Sequence, residues 1–242
     1  MRYLVFSDIH GNVEALERVL EEAARLRPDL VVSLGDVVGY GANPNECVDI
    51  VAECARLRIA GNHDVATAGL IDTDNFSTTA RTSIQWTSRA IDPSHREMLG
   101  EYDTIRRYGE CVFAHASPCS PMDWEYVYTI GQANRIFKET SERYIFIGHT
   151  HVPAIVEHHG TRGSRVLGGT LITVEPDARY LINVGSIGQP RDGVAAASFA
   201  LLDAKKGVVT IRRVPYDIRS AQEKIRNVGL PESLALRLAT AR

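Results

Sequence analysis

The sequence lacks the features that mark a secreted, membrane or nucleic-acid-binding protein. Its 242 residues carry 27 basic and 30 acidic side chains, and the net charge of -3 provides no bulk attraction for nucleic acid or an anionic membrane. The apolar run over residues 1–6 is too short for a signal peptide, and no later stretch could span a bilayer. We therefore expect a soluble, cytoplasmic protein with no membrane partner and no extended nucleic-acid track.

Cysteine is also scarce and unpatterned. The four cysteines, at positions 47, 54, 111 and 119, include no C-x-x-C pair, so neither a zinc knuckle nor a disulfide framework is indicated. The chain has no internal repeat and no low-complexity linker. A hydrophobic fraction of 44% is sufficient for a full core, and we expect one domain over residues 1–242.

Short apolar runs alternate with amphipathic helices in the N-terminal part of the chain. Strands are expected at residues 3–7, 30–34 and 58–60, with helices at 13–26 and 44–57 between them. Such β-α-β units imply a mainly parallel sheet. Residues 66–100 and 116–130 interrupt this rhythm and contain no readable motif. We expect these two segments to act as caps that determine substrate specificity.

The remainder of the chain indicates a second sheet. Strands are expected within residues 104–114, 144–147, 166–174, 180–184 and 198–214, with helices at 131–141, 217–228 and 233–238. From residue 152 to 214 the strands alternate with Gly-rich turns. We therefore expect a largely antiparallel second sheet packed on the first, within an α/β fold.

Five polar clusters come directly after predicted strands. In an open α/β sheet the carboxyl ends of the strands lie along one edge, where ligands bind, so the clusters are expected to meet. In each D-x-H or H-x-H pair, an extended backbone would direct both side chains to the same side. The clusters are Ser7-Asp8-Ile9-His10, Gly35-Asp36, Gly61-Asn62-His63-Asp64, Ala114-His115 and Gly148-His149-Thr150-His151.

The residue types in these clusters indicate divalent metal ions. Imidazole nitrogens and carboxylate oxygens suit Mn, Fe, Zn or Ni, and no thiolate demands a softer ion. Asp36 is the natural bridge, because its carboxylate has two oxygens and its neighbours are small or apolar. Two cations about 3.5 to 4 Å apart would activate a water as hydroxide and hold phosphoryl oxygens. The sequence therefore predicts hydrolysis of a phosphate ester, with Mn²⁺ as the first expectation.

In this order the clusters resemble the calcineurin-like metallophosphoesterase superfamily, whose motif blocks are D-x-H, G-D, G-N-H-[DE], a later His and G-H-x-H. The match runs from Asp8 to His151, and residues 7–12, 35–41 and 183–191 are similar to the small bacterial and archaeal phosphodiesterase branch. Ala116 departs from the pattern, since the family usually has Gly there. The resemblance implies a four-layer α/β/β/α sandwich of two mixed sheets flanked by helices.

The resemblance also implies a role for each residue. His63 would act as a general acid or charge stabiliser beside the leaving-group oxygen, with Asp64 orienting its ring. We expect direct attack of a metal-bound hydroxide on a small phosphate ester, with phosphodiesters favoured and nucleotides among the candidates. One metal would be held by Asp8, His10 and His151, the other by Asn62, His115 and His149, and Asp36 would bridge them.

Five further residues each have two interpretations. Asn12 either contacts a phosphoryl oxygen or caps the helix that it begins. Tyr40 either lines the substrate cleft or packs a loop. Arg191 either holds a phosphate or forms a surface salt bridge. Trp86 and Trp124 either stack on a base or phenyl group of the substrate or pack within the protein.

A binding protein is the alternative to an enzyme. The same fold is similar to a retromer subunit that serves as a protein-binding scaffold, and a nucleotide-binding protein with little turnover is a second variant of this alternative. All seven ligand positions and His63 are retained here, which favours hydrolysis. A homo-oligomer is compatible with the sequence.

Overall fold

Two six-stranded mixed sheets pack face to face in this computed structural model, which describes residues 1–242. Helices cover the outer faces of both sheets, and this arrangement confirms the predicted four-layer α/β/β/α sandwich. None of the helices is both long and apolar enough to cross a membrane.

The first sheet combines parallel strands from the N-terminal part with antiparallel strands from the C-terminal part. β1, β2 and β3 run parallel, and β11 pairs antiparallel with β1. In spatial order the strands are β3 (Leu57–Arg58), β2 (Leu30–Ser33), β1 (Arg2–Phe6), β11 (Ala197–Asp203), β12 (Val208–Val214) and β9 (Leu171–Thr173).

The second sheet is built around three parallel strands from the middle of the chain. β5, β6 and β10 run parallel, and antiparallel strands complete both edges. In spatial order the strands are β4 (Ile105–Tyr108), β5 (Cys111–Ala114), β6 (Tyr144–Ile147), β10 (Ala178–Asn183), β7 (Ala154–His159) and β8 (Gly163–Leu167).

Eight helices connect and cover these strands. Four of them have side-chain N-caps, and in two of these Asn12 accepts from the backbone of Ala15 and Thr129 forms a capping box with Gln132. The helices are α1 (Val13–Leu26), α2 (Pro44–Cys54), α3 (Asn62–Thr67), α4 (Thr78–Ala90), α5 (Pro93–Gly100), α6 (Ile130–Glu139), α7 (Ile218–Asn227) and α8 (Glu232–Thr240).

The main core lies between the two sheets. Alternate side chains of both sheets point inward and are fully buried, as the period of two in a strand requires. Burying each large apolar side chain contributes about 1.5 to 3 kcal/mol. Core members include Val5, Val32, Phe113, Phe146, Tyr180 and Leu202. Two further clusters fill the space between the sheets and the flanking helices.

The prediction that residues 152–214 form a separate antiparallel sheet is wrong. β9, β11 and β12 extend the first sheet, while β7, β8 and β10 belong to the second. The predicted strand at 166–174 is likewise divided, because its N-terminal part is in β8 and its C-terminal part in β9. Alternation of apolar residues indicates that one face of a strand is buried. It does not indicate which sheet the strand joins.

Candidate metal centre

The five polar clusters meet where the carboxyl ends of the parallel strands of both sheets adjoin. Asp8 and His10 follow β1, Asp36 follows β2, and Asn62 begins α3 directly after β3. His115 follows β5, and His149 and His151 follow β6. All seven side chains are at most 9% exposed, so the predicted ligands form one buried group.

The backbone of these clusters is not extended, and the expectation from strand periodicity is corrected on this point. Asp8 and His10 have φ angles of 55° and 50°, Asp36 has 51°, and His149 and His151 have 66° and 60°. L-residues rarely adopt this left-handed conformation, which costs on the order of 1 kcal/mol or more per residue. Tight turns, not strand pleating, therefore aim the paired side chains together. Hydrogen bonds such as that from His10 N to the carbonyl of Asp36 (2.9 Å) hold the turns.

Asp8, His10 and His151 form the first candidate ligand group. The Nδ1 atoms of His10 and His151 lie 3.1 and 2.6 Å from the carbonyl oxygens of Val38 and Gln189. Because a carbonyl only accepts, both Nδ1 atoms carry the proton and both Nε2 atoms carry a lone pair. These Nε2 atoms are 3.1 Å apart.

Two lone pairs that face each other at this distance repel unless a cation lies between them. The Asp8 carboxylate adds to the negative potential, since its buried Oδ1 has no hydrogen-bond partner and lies 3.3 Å from His151 Nε2. The donor set therefore fits a divalent cation.

The second candidate group contains Asp36, His115 and His149. His115 Nδ1 lies 2.9 Å from the carbonyl of Leu34, so its Nε2 is directed at His149 Nδ1, 3.1 Å away. His149 Nε2 is buried without a partner, and so is Asn62 Oδ1. Buried polar atoms without hydrogen-bond partners thus occur in this part of the site as well.

Asp36 lies between the two groups. Its Oδ2 is 3.3 Å from His115 Nε2 and 3.6 Å from His10 Nε2, while its Oδ1 accepts from the backbone N–H of His63 at 2.8 Å. A Cβ at Gly61 would lie 2.1 Å from Asp36 Oδ1, so only glycine leaves room for the carboxylate. One carboxylate therefore faces one histidine of each group.

Burial keeps most of the site histidines neutral. It lowers the pKa of His149 to about 3, and it also lowers the pKa of His10 and of His151. Burial alone would raise the pKa of Asp8, but the adjacent His151 and His115 outweigh it and hold that pKa below its usual value. Neutral imidazoles and ionised carboxylates are the protonation states that bind metals.

His63 is held by packing. Its ring lies 4.5 Å from the Tyr40 ring and 5.5 Å from the Phe76 ring, between centroids. Its Nδ1 is buried without a hydrogen-bond partner and lies over Gly39, where an added Cβ would be 2.3 Å away. The imidazole also lies close enough to His10 and Asp36 to form a third candidate ligand group with them.

The prediction that Asp64 orients the His63 ring is wrong for this structure. Asp64 Oδ1 accepts from the N–H groups of Val37 (2.9 Å) and Val38 (3.2 Å), and Oδ2 accepts from Gly61 N (3.0 Å). Both carboxylate oxygens therefore hold the loops that carry Asp36 and Asn62. Burial, with a contribution from Asp36, raises the pKa of Asp64 to about 7.

The structure distinguishes among the residues for which the sequence left two interpretations. Asn12 Oδ1 caps α1 and its Nδ2 donates to Gly188 O at 2.9 Å, so its amide is occupied by the protein. Tyr40, Trp124 and Arg191 line the large cavity beside the metal ligands. Trp86 instead packs against the apolar cluster formed with α7 and α8.

This cavity has a volume of about 960 Å³ and adjoins Asn62, His63 and His149. Both predicted cap segments contribute to its walls, residues 70–72, 75–77 and 80 from the first and residues 122–124 and 126 from the second. Tyr126 stacks on the His149 ring with 3.9 Å between centroids. Side chains of both segments therefore line the same space as the candidate metal ligands Asn62 and His149.

Sequence reasoning missed the acidic residues Asp72 and Asp123 of the cavity, and it missed one basic residue, Arg237. It lies on α8, far along the chain from every motif, and a helical pattern of leucines carries no signal that an intervening arginine faces a site. Phe76 and Tyr126 were also missed, because they belong to segments without a motif.

The sequence model of the calcineurin-like phosphoesterase superfamily domain matches residues 1–207. The chain belongs to the calcineurin-like phosphoesterase superfamily. An uncharacterized protein of Methanocaldococcus jannaschii is 38% identical over 242 residues, which cover 98% of this chain and 97% of that protein.

Two solved structures share the fold over the whole chain. A metallophosphoesterase from Sphaerobacter thermophilus is 37% identical, with a TM-score of 0.87 and coverage of 100% of this chain and 99% of that chain. A hypothetical protein from Pyrococcus horikoshii is 20% identical, with a TM-score of 0.81 and coverage of 100% and 98%.

The family and the buried histidine and aspartate groups together indicate a divalent metal site in this calcineurin-like phosphoesterase. Ala116, the one departure from the motif blocks, is buried and is not among the residues with positive φ. Its position therefore does not require glycine, and His115 is placed with the other ligands.

Proposed function

We propose that this calcineurin-like phosphoesterase hydrolyses small phosphate esters, with phosphodiesters preferred, using two divalent cations. The observation that carries the proposal is the presence of two pairs of converging, buried histidine nitrogens, one pair on either side of Asp36. A single buried cation would satisfy only one of these pairs. Mn²⁺ is the ion that we propose first, with Fe, Zn and Ni as alternatives for the same nitrogen and oxygen ligands.

In this proposal Asp8, His10 and His151 hold one cation, and Asn62, His115 and His149 hold the other. Asp36 contacts both. The unsatisfied Oδ1 atoms of Asp8 and Asn62 support these assignments. Asp8 Oδ1 lies 3.3 Å from His151 Nε2, and Asn62 lines the same cavity as His149. Carbonyl contacts at Nδ1 orient the rings of His10, His115 and His151 as metal ligands require.

Two bound cations would supply a nucleophilic water and neutralise charge on the phosphoryl group. The side chains around them would position the ester. His63 faces the cavity and would donate to the leaving-group oxygen, and the Arg191 guanidinium would bind a phosphoryl group of the substrate. The aromatic side chains of Phe76, Trp124 and Tyr126 offer a wall for a base or phenyl group, which makes nucleotides reasonable substrates. A cytoplasmic location and a homo-oligomer stay predictions.

The direct test compares metal-stripped protein with protein reloaded with Mn²⁺. We expect metal-dependent cleavage of bis(p-nitrophenyl) phosphate at a higher kcat/KM than that of p-nitrophenyl phosphate. Faster cleavage of the monoester would contradict the preference for diesters. Uptake of two metals without cleavage of either ester would support the alternative of a nucleotide-binding or protein-binding scaffold.

Metal uptake is also expected to release a proton. Burial acts to lower the pKa of His115, but the carboxylates of Asp36 and Asp8 outweigh it and raise that pKa to about 9. In the metal-free protein the ring is therefore protonated at pH 7 and must lose a proton to become a ligand. Metal affinity should rise with pH until about pH 9 and level off above it.

Calorimetry of Mn²⁺ binding in two buffers with different ionisation enthalpies measures this release. We expect about one proton per protein at pH 7 from His115, because the other site histidines have lowered pKa values and are already neutral. The variant His115→Asn provides the control and should release none. An affinity that is constant from about pH 6 to 9 would contradict the expectation.

A further inference from the structure

Two arginines share one neutral acceptor on the wall of the cavity. Arg191 Nη2 donates to Gln189 Oε1 at 2.9 Å, and Arg237 Nη1 donates to the same oxygen at 3.1 Å. Neither guanidinium is paired with an aspartate or glutamate, whereas Arg213 of β12 is paired with Asp192. The Nε of Arg191 is buried and has no hydrogen-bond partner at all.

This arrangement is unfavourable without an anion. Two positive groups that converge on one amide oxygen repel each other, and the oxygen cannot neutralise either. The effect is visible at Arg237, whose pKa is lowered by burial and by the charge of Arg191. The guanidinium nevertheless stays charged at any ordinary pH.

Both arginines are held in place by the fold. The backbone N–H of Arg191 donates to the carbonyl of the proposed metal ligand His151 at 3.2 Å, and its guanidinium lies 5.9 Å from the centre of the Tyr40 ring. Arg237 Nε donates to the carbonyl of Arg242 at 3.1 Å. Little side-chain entropy remains to be lost when such groups bind a ligand.

The helices α7 and α8 position Arg237 and lie beyond the residues that the family model matches. Leu234 and Leu238 of α8 are buried against Tyr40 and α7, and Gln222 Nε2 donates to Ala235 O at 2.8 Å. Residues 208–242 extend beyond the matched domain of 1–207. Arg237 is therefore a contribution of this C-terminal helix pair to a cavity whose metal ligands all belong to the common domain.

We propose that Arg191 and Arg237 form a second anion subsite, and that the substrate carries a second phosphoryl group besides the ester phosphate that is hydrolysed. This inference rests on the proposed function and narrows its substrate class. The cavity supports it, because both arginines line the same space of about 960 Å³ as Asn62 and His149, and this volume accommodates an organic group besides the ester phosphate. A phosphoryl group offers the several acceptor oxygens that two guanidinium forks require.

The test uses two substrates with the same scissile bond. Thymidine 5′-(p-nitrophenyl phosphate) has one phosphate, and its 3′-phosphorylated derivative has two. For the Mn²⁺-loaded full chain we expect KM to be lower for the doubly phosphorylated substrate. Arg237→Gln keeps a hydrogen-bond donor but removes the charge. This variant should raise KM for the doubly phosphorylated substrate by ~10- to 100-fold, with kcat unchanged. Its KM for the singly phosphorylated substrate should stay within about twofold of the wild-type value.

Arg219→Gln is the matched control. It removes one positive charge from α7, but its side chain is 87% exposed and paired with Glu223, outside the cavity. This variant should behave like the wild type with both substrates. High salt should reduce the preference of the wild type for the doubly phosphorylated substrate. It should leave the preference of Arg237→Gln unchanged. The proposed subsite would be rejected if the wild type and Arg237→Gln had the same selectivity between the two substrates. It would also be rejected if Arg237→Gln lost activity equally with both substrates.

Binding separates the failure of this inference from failure of the proposed function. Calorimetry with thymidine 5′-phosphate and thymidine 3′,5′-bisphosphate requires no turnover. A preference for the bisphosphate that disappears in Arg237→Gln would support the subsite even if no ester were cleaved. Cleavage of esters without any such preference would leave the proposed function standing and reject the subsite.

Discussion

Asp36→Asn is expected to abolish stable binding of the metal pair and to remove nearly all turnover. The Asp36 Oδ2 atom lies 3.3 and 3.6 Å from one histidine of each ligand group, so its charge acts on both proposed cations. Asparagine has the same shape and can still accept the His63 N–H, but it lacks the negative charge. Removal of groups that only support metal ligands already costs ~10- to 100-fold in affinity, so loss of a shared ligand should cost more than that.

Asp8→Asn is the matched comparison. Asp8 is equally buried, but its Oδ1 lies 3.3 Å from His151 Nε2 and 3.9 Å from both His10 and His115. We expect this variant to lose one metal and Asp36→Asn to lose both. The measurement is the metal content per chain after gel filtration at limiting Mn²⁺, with thermal unfolding to verify the fold. Two metals and a full rate in Asp36→Asn would reject the bridging role.

The convergence of the site was predictable because it depends on topology. Polar clusters after parallel strands must meet at the carboxyl edge, whatever the details of the loops. Asp8, Asp36 and His149 illustrate this. Asp8 directly follows a predicted strand, and Asp36 and His149 are each separated from a predicted strand by one glycine. The layer order of the fold was predictable for the same reason. Apolar runs and helical periodicity report local burial, and β-α-β units leave few ways to arrange the layers.

The parts that escaped prediction depend on which groups meet across the fold. Asp64 was expected to contact the adjacent His63, but backbone N–H groups of the Asp36 loop occupy its oxygens. Only the packing of the β2 and β3 loops against each other creates those partners. Strand β11 was assigned to the wrong sheet because the pairing of Val5 with Ala200 joins residues from opposite ends of the chain. Arg237 escaped for the same reason.

His63→Ala is expected to retain both metals and to lose ~10²- to 10⁴-fold in kcat, the range that a positioned general acid supplies. Burial lowers the pKa of His63 to about 4, so the ring is neutral at pH 7 in the substrate-free protein. A bound anionic phosphoryl group favours the protonated form and raises this pKa. The imidazolium can then donate to the leaving-group oxygen as the ester bond breaks.

The leaving group distinguishes this role from a structural one. A p-nitrophenolate departs readily without protonation, whereas a phenolate or alkoxide does not. The loss in His63→Ala should therefore be larger for phenyl esters than for p-nitrophenyl esters. A purely structural disturbance of the Tyr40 and Phe76 packing would reduce both rates equally. His95→Ala, which removes a histidine paired with Asp49 on α2, is the control and should leave metals and rates unchanged.

The metal content of His63→Ala decides between the two roles that the geometry allows for His63, general acid and metal ligand. The imidazole lies within reach of His10 and Asp36, so a ligand role is the competing assignment. If His63 were a metal ligand, the variant His63→Ala would bind one metal fewer. Its rate loss would then be independent of the leaving group. Two retained metals combined with a leaving-group-dependent loss can arise only if His63 acts on the departing oxygen.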